Sequence, residues 1–201
     1  MKKKILFLFL SLFLTFSCAK KDVVRFDYSD SVLLKKIYEN NKLVCNVKGK
    51  FIIYYEDRFF KVKFRCALVK DCNNSIRLFI FGLLNQVIAT VRYDGTQVIV
   101  LEKNKDISKE YADVLDKDRI EKIIKLFNTP AFLPKGILKK EVFENYLLLF
   151  DKNNILYKID NEFRIVEIKT DNFNISYEFK NGRLKEIDYV DFSQKLSITF
   201  L

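Results

Sequence analysis

Between Phe60 and Leu68 every second residue is apolar: Phe60, Val62, Phe64, Cys66 and Leu68, with Lys61, Lys63 and Arg65 falling between them. Successive side chains of a strand point to opposite faces, so this run buries one side and wets the other only as a β-strand. The same period recurs on both sides of it. Leu43, Cys45, Val47, Phe51, Ile53 and Tyr55 precede it, and apolar runs over 76–81, 87–93 and 97–101 follow, with Asp94-Gly95 as a hairpin turn. From Leu147 the pattern resumes as a meander over 147–150, 155–159, 163–169, 173–179, 184–189 and 196–200, and Lys180-Asn181-Gly182-Arg183 is its clearest turn.

Two stretches carry the helical period instead. Ser29 or Asp30 can cap a helix with Leu33, Leu34, Ile37 and Tyr38 on one face, ended by Asn40-Asn41. Asp116 or Asp118 can start a second, with Ile120, Ile123, Ile124 and Phe127 on one face and Thr129-Pro130 as its stop. A third short helix is expected over 138–146, beyond the break at Pro134 and Gly136. The expected fold is therefore mainly β (α+β), a curved antiparallel half-barrel of about ten strands. Helices near 30–40 and 117–128 would cover its concave side. Such a sheet can enclose an apolar cavity, whose wall would be Phe60, Val62, Phe64, Ile76, Leu78 and Ile80. The core should include Phe51, Phe64, Leu78, Ile123, Phe127, Phe163 and Phe179.

The first residues belong to a different kind of segment. Lys2, Lys3 and Lys4 lead an apolar run from Ile5 to Leu14 that only Ser11 interrupts. It is shorter than the roughly 20 residues a membrane-spanning helix needs. The run ends in Leu14-Thr15-Phe16-Ser17-Cys18, which resembles the lipobox of bacterial lipoproteins. That resemblance implies a signal peptide over 1–17, lipid on Cys18, a tether over 18–28 and a folded domain over 29–201. It implies attachment to membrane lipid through Cys18. Ala19 and Lys20 after the cysteine point to the outer membrane, on the periplasmic side. Loss of residues 1–17 removes three lysines from 36 basic side chains set against 26 acidic ones, which leaves a moderate positive balance suited to anionic head groups. Nucleic acid is not an expected partner, because the lysines are spread through the strands and the compartment is wrong.

Cys45, Cys66 and Cys72 remain in the domain, so at most one disulfide can form among them. Cys45 and Cys66 fall on apolar-alternating segments and read as small core residues, and Cys72 lies in the polar turn Asp71-Cys72-Asn73-Asn74. None has metal-ligand spacing. The chain contains no His, which removes the common general base, and it has neither a Gly-rich phosphate loop nor a Gly-x-Ser-x-Gly elbow. Glu141 and Glu144 sit at surface-helix spacing. The expectation is no enzyme, no metal and no cofactor.

The segment Arg77-Leu78-Phe79-Ile80-Phe81-Gly82-Leu83-Leu84-Asn85, followed by a strand and Tyr93-Asp94-Gly95, resembles the LolA/LolB superfamily of lipoprotein carriers, and within it the outer-membrane receptor LolB. The order of elements over about 30–200 fits the same pattern. The resemblance implies a monomer that takes acyl chains of lipoproteins from a LolA-like periplasmic carrier and helps insert them into the outer membrane. It places Leu84, with Leu83 beside it, at the exposed tip of a loop. Two adjacent leucines in a turn cannot both face inward, so either the tip exposes one or the strand runs on and both pack. An anchored carrier of another lipid, or a structural lipoprotein of an envelope complex, stays open beside the receptor reading.

Overall fold

The 60–68 alternation becomes β2 (Lys61–Lys70), which pairs antiparallel with β1 (Val47–Asp57) on one side and β3 (Ile76–Phe81) on the other. The computed structural model describes residues 26–42, 44–111 and 117–201. The expected signal peptide, Cys18, Leu43 and Asp116 lie outside the described residues.

Beyond β3 the first meander runs through β4 (Val87–Tyr93), β5 (Val98–Glu102) and β6 (Lys105–Asp106). The second comprises β7 (Lys139–Val142), β8 (Tyr146–Phe150), β9 (Leu156–Asp160), β10 (Ile165–Lys169), β11 (Phe173–Lys180), β12 (Arg183–Asp191) and β13 (Gln194–Phe200). β1 pairs with β13, Phe51 opposite Phe200 and Ile53 opposite Ile198, so the two meanders fuse into one curved, open antiparallel sheet of thirteen strands. The expected half-barrel is present, three strands wider than the sequence pattern indicates. The stretch expected as a helix over 138–146 is instead β7 and the turn into β8, with Glu141 opposite Leu148. Lys139-Lys140-Glu141 shows no apolar alternation because β7 is an edge strand, paired on one side only.

That strand order decides where the helices go. β6 and β7 follow one another in sequence but occupy opposite edges, about 58 Å apart along the arc at the usual strand spacing. The chain between them must cross the sheet, and it crosses the concave side as helix α2 (Lys117–Phe127). Its Ile120, Ile124 and Phe127 are buried, and Phe127 meets Phe51 edge-on at 5.2 Å. Tyr93 of β4 donates to Glu121 at 2.6 Å, while Lys122 reaches Asp191 of β12. Helix α1 (Asp30–Asn40) buries Leu33 and Ile37 and covers the other wing. Buried Asn41 just past its end donates to the Phe163 carbonyl and accepts from the Ile165 amide. Phe26, in the segment expected as tether, is 1% exposed and packs against Phe163, so the packed domain takes in this residue.

Every antiparallel pair puts facing residues on the same side, so the inner face can be followed strand by strand. Val91 faces Leu78, Leu78 faces Leu68, Cys66 faces Phe51, Phe51 faces Phe200, and Ile198 faces Ile187. Of the expected core, Phe51, Phe127 and Phe163 are buried, while Phe64, Leu78, Ile123 and Phe179 are half-buried against it. Cys66 is the buried, free core residue expected, whereas Cys45, expected in the core as well, is half-buried ahead of β1 and bonded to Cys72 of the β2–β3 turn. All these strands, both helices and the disulfide lie between Phe26 and Leu201, so a chain begun at Lys20 keeps every pairing described.

Candidate functional site

The expected cavity wall is brought onto one face. Ile80 lies opposite Cys66, Leu78 opposite Leu68 and Ile76 opposite Lys70, so all three share the inner side with Val62 and Phe64. Ile76 is buried, and Val62, Phe64, Leu78 and Ile80 are half-buried. Phe60 sits in the turn before β2, exposed, its ring 6.2 Å from Tyr55. Among the grooves of the described residues, Ile76 lines one of about 400 Å³ at the lower rim with Arg77, Arg92 and Tyr93.

An apolar groove opens elsewhere on the concave side, between α2 and the β11–β12 hairpin. Its volume is about 320 Å³. Phe173, Ile175 and Tyr189 form its floor, and Leu126, Ala131 and Phe132 its wall. Phe132 and Phe173 stack at 5.8 Å, and Phe173 stacks on Tyr189 at 5.9 Å. Lys122 lies 5.0 Å over the Tyr189 ring and Lys125 lies 4.1 Å over Phe132, and Glu121 lines the groove beside them, so it is apolar with a charged margin of both signs. Its residues come from two segments some 50 positions apart in the chain, and no local pattern announces that they meet.

The 82–86 turn settles the alternative left open for the leucine pair. Gln86 accepts the Leu84 amide on its side chain at 3.0 Å, and its backbone carbonyl accepts the Gly82 amide at 2.9 Å. A Cβ on Gly82 would lie 2.8 Å from Ile88, so glycine lets the turn close, and Asn85 takes positive φ. Leu83 is fully exposed and Leu84 is 86% exposed. The strand therefore does not run through, and neither leucine packs in the core.

Two further hairpins share this construction. In the β1–β2 turn, Asp57 accepts the amides of Phe59 and Phe60, at 2.8 and 2.7 Å, and the hydroxyl of Tyr55. In the β12–β13 turn, Asp191 accepts the amides of Ser193 and Gln194, the Tyr189 hydroxyl and Lys122. Burial alone would raise the Asp191 carboxyl, but these hydrogen bonds outweigh it and hold the group well below the usual carboxylate range. Phe59 is 90% exposed and Phe192 is 87% exposed at the tips of these turns. Sequence reading passed over both, although an aromatic directly after the polar residues of a hairpin turn is itself a signal.

No protein-family model matches the chain, and no curated protein matches it in sequence. Solved structures similar to it include a LolA superfamily protein from Nitrosomonas europaea, 14% identical, covering 87% of this chain and 92% of the other, with a TM-score of 0.47. A DUF1329 family protein from Desulfovibrio piger is 9% identical, covers 85% and 89%, and has a TM-score of 0.48. A domain from Vibrio parahaemolyticus described as an outer membrane lipoprotein-sorting protein is 8% identical, covers 84% and 88%, and has a TM-score of 0.40. At identities of 14% or less and TM-scores below 0.5, these likenesses decide neither the family nor the function.

Proposed function

We propose that the chain is an outer-membrane lipoprotein, anchored through lipid on Cys18, that binds acyl chains of lipoproteins on its concave face and helps insert them into the membrane. The observation that carries this reading is the tip at Leu83 and Leu84. A turn held by Gln86 keeps two leucines in water, where each forgoes about 1.5–3 kcal/mol of burial. Such a cost is offset at a membrane or on an acyl chain. Val62, Phe64, Ile76, Leu78 and Ile80 share the inner face of the strands that lead to this tip, with Phe60 exposed in the turn before β2, and the groove beside α2 offers an apolar slot for part of a chain. The Cys45–Cys72 disulfide supports an exported protein, since such bonds persist in oxidising compartments. A LolA-like periplasmic carrier would be the donor, and no chemistry beyond binding is required of the site.

A second reading follows from Lys125 at the groove margin, which suits an anionic head group where Lys122 is already paired to Asp191: an anchored carrier of an acidic lipid. Mass spectrometry of material that co-purifies with the chain begun at Lys20 separates the two. Acylated peptides support the receptor, a bound phospholipid supports the lipid carrier, and an empty protein leaves a structural lipoprotein as the account.

A further inference from the structure

We propose that Phe59 and Phe192, with Leu83 and Leu84, form a docking edge that enters the surface of a bilayer bearing anionic head groups. The strand order β4-β3-β2-β1-β13-β12 places the β3–β4, β1–β2 and β12–β13 turns side by side on one rim. Each carries an exposed large apolar residue at its tip, four in all. A groove of about 740 Å³ runs between Phe59 and Phe192, bordered by Arg58 and Lys122 and also by Asp57 and Asp118.

The arrangement is not a general property of the turns in this sheet. On the opposite rim the tips are Asn73, Gly95, Asn161 and Asn181, and Phe143 there is stacked on Tyr146 at 4.5 Å. The other turns of the same rim are polar too, with Lys103-Asn104, Lys152-Asn153 and Asp171-Asn172. Among the described residues, large apolar side chains at least 86% exposed are therefore confined to three neighbouring hairpins, while Val44 and Leu201 at the opposite rim are 52% and 66% exposed. Asp57, Asp191 and Gln86 fix the three turns by hydrogen bonds, so little conformational freedom is lost when the tips are buried.

The occupant follows from shape and charge. The tips stand on three separate turns along an edge, a form that suits a deformable medium better than a rigid protein face. Exposed Arg58, Lys63 and Lys195 flank them, with Arg58 lying over the Phe59 ring and Lys61 paired to Glu56 at 3.3 Å, and the three cations that remain complement acidic lipid. The proposal rests on the membrane placement of Leu84 made above but requires no cargo, so empty vesicles test it separately.

The chain has no tryptophan, which makes single Trp probes clean reporters. Phe59→Trp, Phe192→Trp and, on the opposite rim, Asn73→Trp would each be made in the chain begun at Lys20. They would be mixed with vesicles of phosphatidylethanolamine and phosphatidylglycerol that contain brominated lipid. The first two should shift to the blue and be quenched, and the third should do neither. The double variant Phe59→Ser/Phe192→Ser should keep its thermal midpoint and lose at least roughly a hundredfold in vesicle partitioning, each ring being worth about tenfold or more. The proposal is overturned if neither rim probe responds, if all three respond alike, or if the double variant binds as tightly as the parent. A response of the rim probes to a protein partner alone would overturn it as well.

Discussion

Lys122 Nζ lies 3.0 Å from Asp191 Oδ2, which ties the helix on the concave face directly to the hairpin that presents Phe192. The same carboxylate receives the turn amides and the Tyr189 hydroxyl, so one residue sets both the position of α2 and the shape of the rim.

This linkage has a pH signature. The folded Asp191 carboxyl sits below its unfolded value of about 3.9, so its contribution is complete above that pH. It is lost as pH falls further toward the folded value. Asp191→Asn should lower stability near pH 7 by about 1–3 kcal/mol and flatten the acid side of the stability profile. Urea unfolding from about pH 7 down to about pH 3 measures both. An unchanged acid slope in the variant would contradict the role given to Asp191.

Asn41 is a second single-residue tie. Its side chain donates to Ile37 and Phe163 carbonyls and accepts from the Ile165 amide, all in a buried setting. Asn41→Ala takes this partner from the Phe163 carbonyl and the Ile165 amide, while the Ile37 carbonyl keeps the backbone amide of residue 41, and should cost about 2–4 kcal/mol. Chemical denaturation provides the number, and a loss under about 0.5 kcal/mol would show that the tie is idle.

Cys45 and Cys72 close a loop across 27 positions between the start of β1 and the β2–β3 turn. Reduction, or Cys72→Ser, should therefore lower stability by about 2–4 kcal/mol. Burial pushes the Cys66 thiol up to about 12, so it should resist alkylation in the folded oxidised chain and take up label only on unfolding. Mass spectrometry of iodoacetamide-treated protein counts the labels, and a label on the native chain would contradict the burial of Cys66.

Much of this fold is legible in the sequence because period-two runs such as Phe60 to Leu68 need one dry face wherever they sit. Helix α2 is legible for the same reason through Ile120, Ile124 and Phe127. The pairing of β1 with β13 is not, since Phe51 and Phe200 are brought together by closure of the whole chain and by no local cue. β7 escapes because an edge strand needs no alternation, and Lys139-Lys140-Glu141 reads equally well as helix. Gly82 and Asn85 mark the Leu83–Leu84 turn, but whether a leucine faces water depends on which hairpins adjoin it. The groove at Phe132 and Phe173 depends on where α2 crosses the sheet, which is a consequence of strand order.

If the concave face passes acyl chains to a membrane through the tip at Leu84, Leu84→Glu should block that passage and leave the fold intact. Thermal stability, cargo uptake and delivery of an acylated lipoprotein into liposomes would be measured on the same variant. Because Leu84 is exposed and its amide is held by Gln86, stability should change by less than about 0.5 kcal/mol. Uptake should persist, and delivery should fall roughly tenfold to hundredfold, the worth of burying one leucine. Unchanged stability together with unchanged delivery would contradict the account.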